Sequence, residues 1–225
     1  MVNLKISKSV LDKGVSNPIS GVIENVSVIE SPMILMDEIN TKLQYIASNK
    51  EQIVNSKYYR GFKQLFTALG YPNQQTAADR LIEQYTKKPF KSINNLVDSY
   101  NIVSALYGYP IGLHDANKIK SDIKIDLASD HETIIPMFRN SQKKVKPNDL
   151  IYKDDNGILC WMGKRDIDSD LYKVDKKTSE VFIMCMGNPI TDHSENQYIL
   201  EIIFKILKIS CPDAKLVMSE VEIVQ

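Results

Sequence analysis

The sequence has few cysteines, no excess charge of either sign and no long hydrophobic run, and each absence excludes a class of protein. Its 225 residues contain three cysteines, an odd number without CxxC spacing. This argues against a disulfide framework and a structural zinc site, and it favours a reducing, cytoplasmic environment. No apolar run reaches the roughly 20 residues needed to span a bilayer, so we expect no membrane insertion. The cysteines are Cys160, Cys185 and Cys211.

Basic and acidic side chains balance, because 28 Lys and Arg residues face 28 Asp and Glu residues. No field of the whole molecule therefore draws the protein toward nucleic acid, and a polyanionic partner needs a local basic patch. The densest basic stretch is residues 139–146 (RNSQKKVK). This stretch could contact phosphates, or it could be a solvated loop.

The sequence also lacks the GxGxxG, P-loop, HExxH and GxSxG motifs, so we expect no nucleotide cofactor and no catalytic metal. Residues 166–170 (DIDSD) begin like a calcium loop. However, Leu171 stands where that loop needs glycine and Lys177 where it needs glutamate, so we predict no calcium site. We interpret the stretch as a solvated loop, although Arg165 and Asp166 could instead face a pocket.

The spacing of apolar residues predicts an α+β fold with a mixed, mainly antiparallel sheet and helices packed on it. Asn156-Gly157 between the apolar runs 150–152 and 158–161 predicts a β-hairpin. Ser194 and Gln197 fit a capping box at the start of the last helix. Helices are predicted at residues 33–46, 58–69, 76–85, 95–107 and 197–207, and further strands at 21–29, 123–127, 181–186 and 215–224. Without internal repeats or a low-complexity linker, we expect one domain over residues 1–225.

A narrow polar stripe lies between two apolar faces of the predicted helix 95–107. Asn94, Asp98 and Asn101 follow i, i+4, i+7 spacing, so they point the same way and could line a pocket. The alternative is structural, since Asn94 or Asn95 can cap the helix and Asp98 suits its first turn. Only Asn101 then needs another explanation.

The helix is followed by a loop, residues 110–115 (PIGLHD), that carries two groups suited to proton transfer. His114 could act as a general base and Asp115 could orient it. Alternatively, His114 is a lone surface histidine, since neighbouring side chains point apart when a segment is extended and Asp115 would then not orient it.

Residues 92–103 (SINNLVDSYNIV), followed by 108–112 (GYPIG) and 115–119 (DANKI), resemble the B3/B4 domain of the phenylalanyl-tRNA synthetase beta subunit. That family has the order Ile-Asn-Asn-x-Val-Asp-x-x-Asn-x-Val and then a proline loop ending in aspartate. Freestanding relatives of the domain resemble this chain more widely, over about residues 58–190. No motif of a complete synthetase is visible, so aminoacylation is not expected.

The resemblance implies an editing-type hydrolase that deacylates mischarged aminoacyl-tRNA in trans, with tRNA or aminoacyl-tRNA as its partner and no cofactor. Gly112 stands where the family has its editing histidine, and His114 follows two residues later. A loop with Gly187 stands where the family has a glycine-rich loop. The candidate catalytic residues are His114 and Asp115, and the candidate substrate-binding residues are Asn94, Asn95, Asp98, Asn101, Gly112, Arg165, Asp166 and Gly187.

Two further classes of function stay open. The chain could be a non-catalytic module that binds tRNA or a free amino acid, because hydrolysis and binding can use the same polar stripe. It could also be a structural or protein-interaction domain in which the polar residues only cap and support helices. Multiple-turnover release of an amino acid would separate the editing hydrolase from both alternatives. Such hydrolysis does not require a protein nucleophile, because an enzyme can orient a water molecule and stabilise the oxyanion.

Overall fold

The computed structural model describes residues 2–224, which form seven α-helices and twelve β-strands. The helices are α1 (Lys8–Leu11), α2 (Met33–Ser48), α3 (Lys50–Val54), α4 (Lys57–Ala68), α5 (Ala77–Lys87), α6 (Asn95–Tyr107) and α7 (His193–Leu207). The strands are β1 (Leu4–Ser7), β2 (Ile19–Glu24), β3 (Gly112–Asp115), β4 (Ile123–Leu127), β5 (Thr133–Ile134), β6 (Lys143–Lys144), β7 (Leu150–Lys153), β8 (Ile158–Met162), β9 (Asp166–Asp168), β10 (Glu180–Cys185), β11 (Lys215–Met218) and β12 (Val221–Val224).

Most strands belong to two sheets. The larger sheet has the order β12-β1-β4-β7-β8-β9, with parallel pairs on both sides of β1 and antiparallel pairs elsewhere. The smaller sheet has the order β11-β2-β10-β3 and is antiparallel throughout. Strands β5 and β6 pair separately. The predicted α+β class with a mainly antiparallel arrangement is confirmed.

Helix α6 is central, since α2, α5 and α7 all contact it, and α7 also packs on β2 and β10. This position explains the two apolar faces of α6, because a helix surrounded by other elements buries most of its circumference. The helix ends at Gly108, whose φ of +63° is the left-handed conformation that glycine adopts without strain. The chain then turns into β3 at the edge of the smaller sheet.

The predicted hairpin is present as β7 and β8. The Asp154 carboxylate accepts the backbone N–H groups of Asn156 and Gly157 and therefore closes the turn. The same carboxylate accepts the Tyr172 hydroxyl and the Lys120 N–H. The carboxylate therefore closes the turn and also joins it to distant parts of the chain. Both kinds of contact fix the register of β8 and of its neighbour β9.

Three details differ from the sequence prediction. The capping box of α7 is formed by Asp192 and Glu195, not by Ser194 and Gln197, so the prediction of that cap was wrong. The predicted strand 215–224 is two strands, β11 and β12, which belong to different sheets. Residues 166–168, interpreted as part of a loop, form the edge strand β9. None of the helices within residues 2–224 has the length and apolar character needed to cross a bilayer.

Candidate functional site

The side chain of Asn95 is fully buried and completely hydrogen-bonded inside the protein. Its amide oxygen accepts the Ile29 N–H at 3.0 Å, and its amide nitrogen donates to the Ser27 carbonyl at 2.9 Å and to Ser210 Oγ at 3.1 Å. Asn95 therefore ties the start of α6 to the segment after β2. This geometry supports the structural alternative for Asn95.

Asp98 is also satisfied by its own protein. Its carboxylate accepts the Ser31 hydroxyl at 2.6 Å, the Ile93 N–H at 3.0 Å and the Ser92 hydroxyl. Only 1% of Asp98 is exposed, so no acceptor capacity faces solvent for a ligand. Asp98 joins the chain before α2 to the chain before α6.

The other two members of the stripe have simpler environments. Asn94 caps α6, since its side chain accepts the Val97 N–H at 2.9 Å. Asn101 is half-buried, and within residues 2–224 its side chain makes no hydrogen bond. The three side chains of the stripe therefore lie on one face of the helix, but they have separate environments and do not line a common pocket.

His114 lies in β3 with its ring completely buried, so the alternative of a surface histidine was wrong. Its Nε2 is 2.6 Å from the Tyr152 hydroxyl, and Nδ1 has no partner among the described residues. Burial lowers the pKa of His114 to about 3, so the ring is neutral at physiological pH. A buried neutral ring without solvent contact cannot take a proton from a substrate water directly.

Asp115 does not orient His114. Its carboxylate accepts the Thr178 hydroxyl at 2.8 Å and the Asn117 N–H at 3.1 Å, and it pairs with Lys118 at 3.3 Å. His114 and Asp115 point to opposite sides of β3, as neighbours in a strand do. The structure therefore does not bring together the two residues that the sequence suggested as a base and its orienting acid.

A narrow cleft lies between β3, the β7–β8–β9 strands and the beginning of α5. One side carries the carboxylates of Asp166 and Asp168 on β9. Cys160 is opposite Asp168 and Met162 is opposite Asp166 in the β8–β9 register, so these four side chains share one face of the sheet. The remaining lining residues are Ala77, Pro110, Ile111, Gly112, Tyr152, Met184 and Met186.

Gly112 lines the cleft at the point where the Tyr152 hydroxyl approaches the backbone most closely. A Cβ at this position would lie 2.1 Å from the Tyr152 hydroxyl and 3.1 Å from His114 Nε2. No larger side chain fits here while Tyr152 and His114 hold their positions. Where the resemblance places a histidine, the Tyr152 hydroxyl therefore packs against the Gly112 backbone and contacts His114.

Asp166 is held at the beginning of α5. Its Oδ2 accepts the Ala77 N–H at 2.8 Å and lies 3.8 Å from the Arg80 guanidinium, and 11% of its side chain is exposed. Burial nevertheless dominates and raises the pKa of Asp166 to about 6. Burial also raises the pKa of Asp168, while the Cys160 thiol and Arg80 lower it in part.

Cys160 and Tyr152 do not supply a nucleophile to the cleft. Burial raises the pKa of the Cys160 thiol well above its ordinary value, and the nearby Asp168 charge raises it further. Burial does the same to the pKa of the Tyr152 hydroxyl. Both groups are thus neutral at physiological pH, and Asp166 is the cleft residue whose pKa of about 6 lies near neutrality.

The cleft is partly open to solvent and has a volume of about 40 Å³, which holds water but, without movement of its lining, not a large side chain. Three methionines line it, and their flexible side chains can adapt to a ligand. Outside it, an open depression of about 670 Å³ is lined by Arg139, Lys143 and Arg165 together with Asp166 and Asp168. The β9 carboxylates therefore face both the cleft and a basic outer surface.

Arg165 and Gly187 complete the residues suggested by the sequence. Arg165 is exposed and lines the outer depression beside Asp166. Gly187 has a φ of +74°, its N–H donates to the Tyr109 hydroxyl at 3.0 Å, and a Cβ there would lie 1.9 Å from the Ser16 carbonyl oxygen. Gly187 is therefore needed for close backbone packing, and its neighbour Met186 lines the cleft.

The sequence did not point to Tyr152, Cys160 or Asp168 as site residues. One available signal was the spacing of Asp166 and Asp168 on either side of Ile167, which is the alternation of a strand with two acids on one face. The charge of the segment favoured a loop instead.

Known proteins similar to this chain agree on one family. The family model described as the B3/4 domain matches residues 66–199. The phenylalanine–tRNA ligase beta subunit of Mycoplasma pneumoniae is 34% identical over 92 residues, which is 41% of this chain and 11% of that protein. The same subunit of Ureaplasma parvum is 31% identical over 101 residues, covering 44% of this chain and 13% of that protein.

A solved structure gives the same result for the fold. An N-terminal fragment of the phenylalanyl-tRNA synthetase beta subunit from Pyrococcus horikoshii superposes with a TM-score of 0.55 at 14% identity. The match covers 99% of this chain and 52% of that chain. The matches to the curated relatives span about a tenth of their length. Since the family model matches more than half of the sequence, the chain belongs to the B3/4 domain family.

Proposed function

We propose that this protein is a trans-acting hydrolase that deacylates mischarged aminoacyl-tRNA in the cleft between β3, β9 and α5. The observation that carries the proposal is the pair of carboxylates, Asp166 and Asp168, on one face of an otherwise apolar cleft. Membership of the B3/4 domain family supports it, as do relatives named phenylalanine–tRNA ligase beta subunit.

Recognition of the aminoacyl group follows from the lining of the cleft. An aminoacyl ester carries a cationic α-ammonium group beside its ester carbonyl, and a carboxylate accepts its N–H groups in charge-assisted hydrogen bonds. Asp168 supplies that acceptor, and removing such a contact costs about 1.5–3 kcal/mol. The side chain of the amino acid would lie against Met162, Met184 and Met186, which can move to admit it.

The hydrolytic step uses Asp166 as general base. The Asp166 carboxylate takes a proton from a water molecule while the water oxygen bonds to the ester carbonyl carbon. The carbon–oxygen bond to the tRNA ribose then breaks, and the ribose oxygen leaves with the proton returned by Asp166. A pKa of about 6 suits both transfers near neutral pH, and the Ala77 N–H holds the carboxylate in place.

A second candidate is a module that binds aminoacyl-tRNA or a free amino acid without catalysis. The observation that favours it is Gly112, which leaves the cleft without a histidine base, since His114 is buried behind Tyr152. Recognition by Asp168 and the methionines would be the same. The difference is whether Asp166 activates a water.

Release of labelled amino acid from a panel of correctly and incorrectly charged tRNAs tests the proposal. We expect multiple-turnover release from one mischarged species, reduced at least about 100-fold by Asp166→Asn, since general bases contribute 10²–10⁴-fold. The matched control is Asp130→Asn, which neutralises an exposed carboxylate outside the cleft and should leave the rate unchanged. Stoichiometric binding without release would replace the hydrolase by the binding module.

A further inference from the structure

An exposed apolar patch lies on two chain segments, at the beginnings of helices α2 and α6. It consists of Ile29, Met33 and Ile34 on the first segment and Ile93 on the second. Met33 is 80%, Ile93 66% and Ile34 65% exposed, and these are three of the four most exposed large apolar side chains within residues 2–224. Single exposed apolar side chains are common, whereas several on adjoining segments mark an interaction surface.

The fold itself does not need apolar side chains at these positions. Leu35, Ile39 and Ile46 form the buried face of α2. At 100° per residue, Met33 lies nearly opposite this face and Ile34 lies beside it. Polar residues at the two positions should therefore leave the fold intact, and their apolar character is explained by a contact outside the chain.

The Asp98 carboxylate joins the two segments of the patch. Its Oδ2 accepts both the Ser31 hydroxyl, at 2.6 Å, and the Ser92 hydroxyl, so the two segments lie side by side. A second link is the Asn95 N–H, which donates to the Ile29 carbonyl at 3.0 Å. These buried hydrogen bonds hold the patch in one arrangement, which reduces the conformational entropy that binding would cost.

Charges of opposite sign flank the patch on its two segments. Glu30 and Asp37 belong to the segment of α2, and Lys88 and Lys91 belong to the segment before α6. All four side chains are exposed, and none of them makes an ion pair within residues 2–224. A two-fold axis that runs between the segments would place the acidic side of one copy opposite the basic side of the other.

We propose that the apolar patch binds a second copy of this chain around such a two-fold axis. The charges favour this partner, because an anionic lipid surface would repel Glu30 and Asp37, whereas a second copy neutralises both sides of the patch. A stable interface buries roughly 800 Å² on each partner. The four apolar and four charged side chains supply only part of that area, so the dimer is expected to dissociate on dilution.

The dimer leaves the cleft accessible, and the inference goes beyond the proposed hydrolysis. The cleft lies at the beginning of α5, where the Ala77 N–H contacts Asp166, whereas Lys88 follows the end of the same helix. The 11 residues of α5 separate the two places by roughly 15 Å. A monomeric variant should therefore keep the activity of the cleft, and failure of either proposal leaves the other in place.

Sedimentation velocity of the full chain over a range of concentrations tests the interface. We expect the wild type to change from monomer to dimer as the concentration rises. Met33→Ser combined with Ile93→Ser should raise the dissociation constant at least about tenfold, because two-fold symmetry removes each side chain from both partners. The matched control is Phe138→Ser combined with Ile223→Ser, which replaces two other strongly exposed apolar side chains and should leave the dimer unchanged. Equal thermal unfolding of the variants would show that all of them fold.

Charge reversal tests the two-fold arrangement. Glu30→Lys would place lysine opposite lysine at both ends of the interface, and Lys91→Glu would place glutamate opposite glutamate, so each variant alone should dimerise more weakly. An equimolar mixture of the two variants should recover the wild-type dissociation constant, because only the mixed dimer has unlike charges at both ends. A mixture that dimerises no better than the separate variants would overturn the arrangement.

Two further outcomes would overturn the interface as a whole. One is a wild-type chain that stays monomeric at its highest soluble concentration, and the other is a dimer that Met33→Ser with Ile93→Ser does not weaken. Cosedimentation with vesicles of phosphatidylserine and phosphatidylcholine tests the other kind of surface. Vesicle binding by a monomer, lost in the same double variant, would assign the patch to a membrane surface and overturn the dimer.

Discussion

Two largely buried carboxylates in this protein, those of Asp98 and Asp166, differ in how fully the protein's own donors occupy their oxygen atoms. Asp98 on α6 is buried and accepts three hydrogen bonds from Ser31, Ser92 and Ile93. Asp166 on β9 is also largely buried, yet its surroundings leave its pKa raised to about 6. A carboxylate whose oxygens are occupied by the protein's own donors stabilises the fold, whereas one whose ionisation is disfavoured by burial is available to a cationic ligand or a proton.

The largest effect on stability is expected at Asp98. Asp98→Ala would leave two hydroxyl groups and one backbone N–H without their acceptor in a buried region. We expect the free energy of unfolding to fall by about 3–5 kcal/mol, measured by urea denaturation. Asn101→Ala on the same helix is the matched control and should cost about 0.5 kcal/mol or less. A loss below about 1 kcal/mol for Asp98→Ala would contradict its structural role.

Features that depend on local signals could be predicted from the sequence, as the helix that carries Asp98 shows. Helix α6 was predicted with its observed ends, because Asn94 caps it and Gly108 ends it, and both signals are local. The β7–β8 hairpin follows from Asn156-Gly157 in the same way. Local signals of this kind act within a few residues, so a single sequence contains them in full.

Long-range contacts explain what the sequence did not reveal. Asp166 and Asp168 resemble a solvated acidic loop until β9 pairs with β8 and the Ala77 N–H fixes one carboxylate. His114 resembles a general base until burial against Tyr152 lowers its pKa to about 3. Burial depends on residues distant in sequence, so spacing alone cannot separate a structural histidine from a reactive one.

The second largest effect is expected at Asp166, with the opposite sign. Its folded-state pKa of about 6 exceeds the ordinary value of 3.8, so the folded protein loses stability as the pH rises from about 4 to about 6, where the unfolded chain ionises first. Asp166→Asn removes that charge and can still accept the Ala77 N–H. We expect a gain of about 2–3 kcal/mol at pH 8 and no gain below about pH 4, measured by urea denaturation across pH.

A control at an exposed carboxylate distinguishes this effect from a general change in net charge. Asp130→Asn should change stability by less than about 0.5 kcal/mol at either pH. If Asp166→Asn destabilised the protein at pH 8, Asp166 would join Asp98 as a structural carboxylate. The comparison of Asp166 with Asp98 would then no longer identify the cleft as the functional site.

The smallest effect concerns the close approach of the Tyr152 hydroxyl to Gly112. Gly112→Ala would place a Cβ 2.1 Å from the Tyr152 hydroxyl, so one of the two must move, at about 1–3 kcal/mol of stability. Tyr152→Phe removes that oxygen, so the double variant should lose less than the sum of the two single variants. We expect a coupling free energy of about 1 kcal/mol from the double-mutant cycle, measured by thermal unfolding. Additive losses would mean that the cleft relaxes around a larger residue at position 112, and that the Tyr152 hydroxyl does not require glycine there.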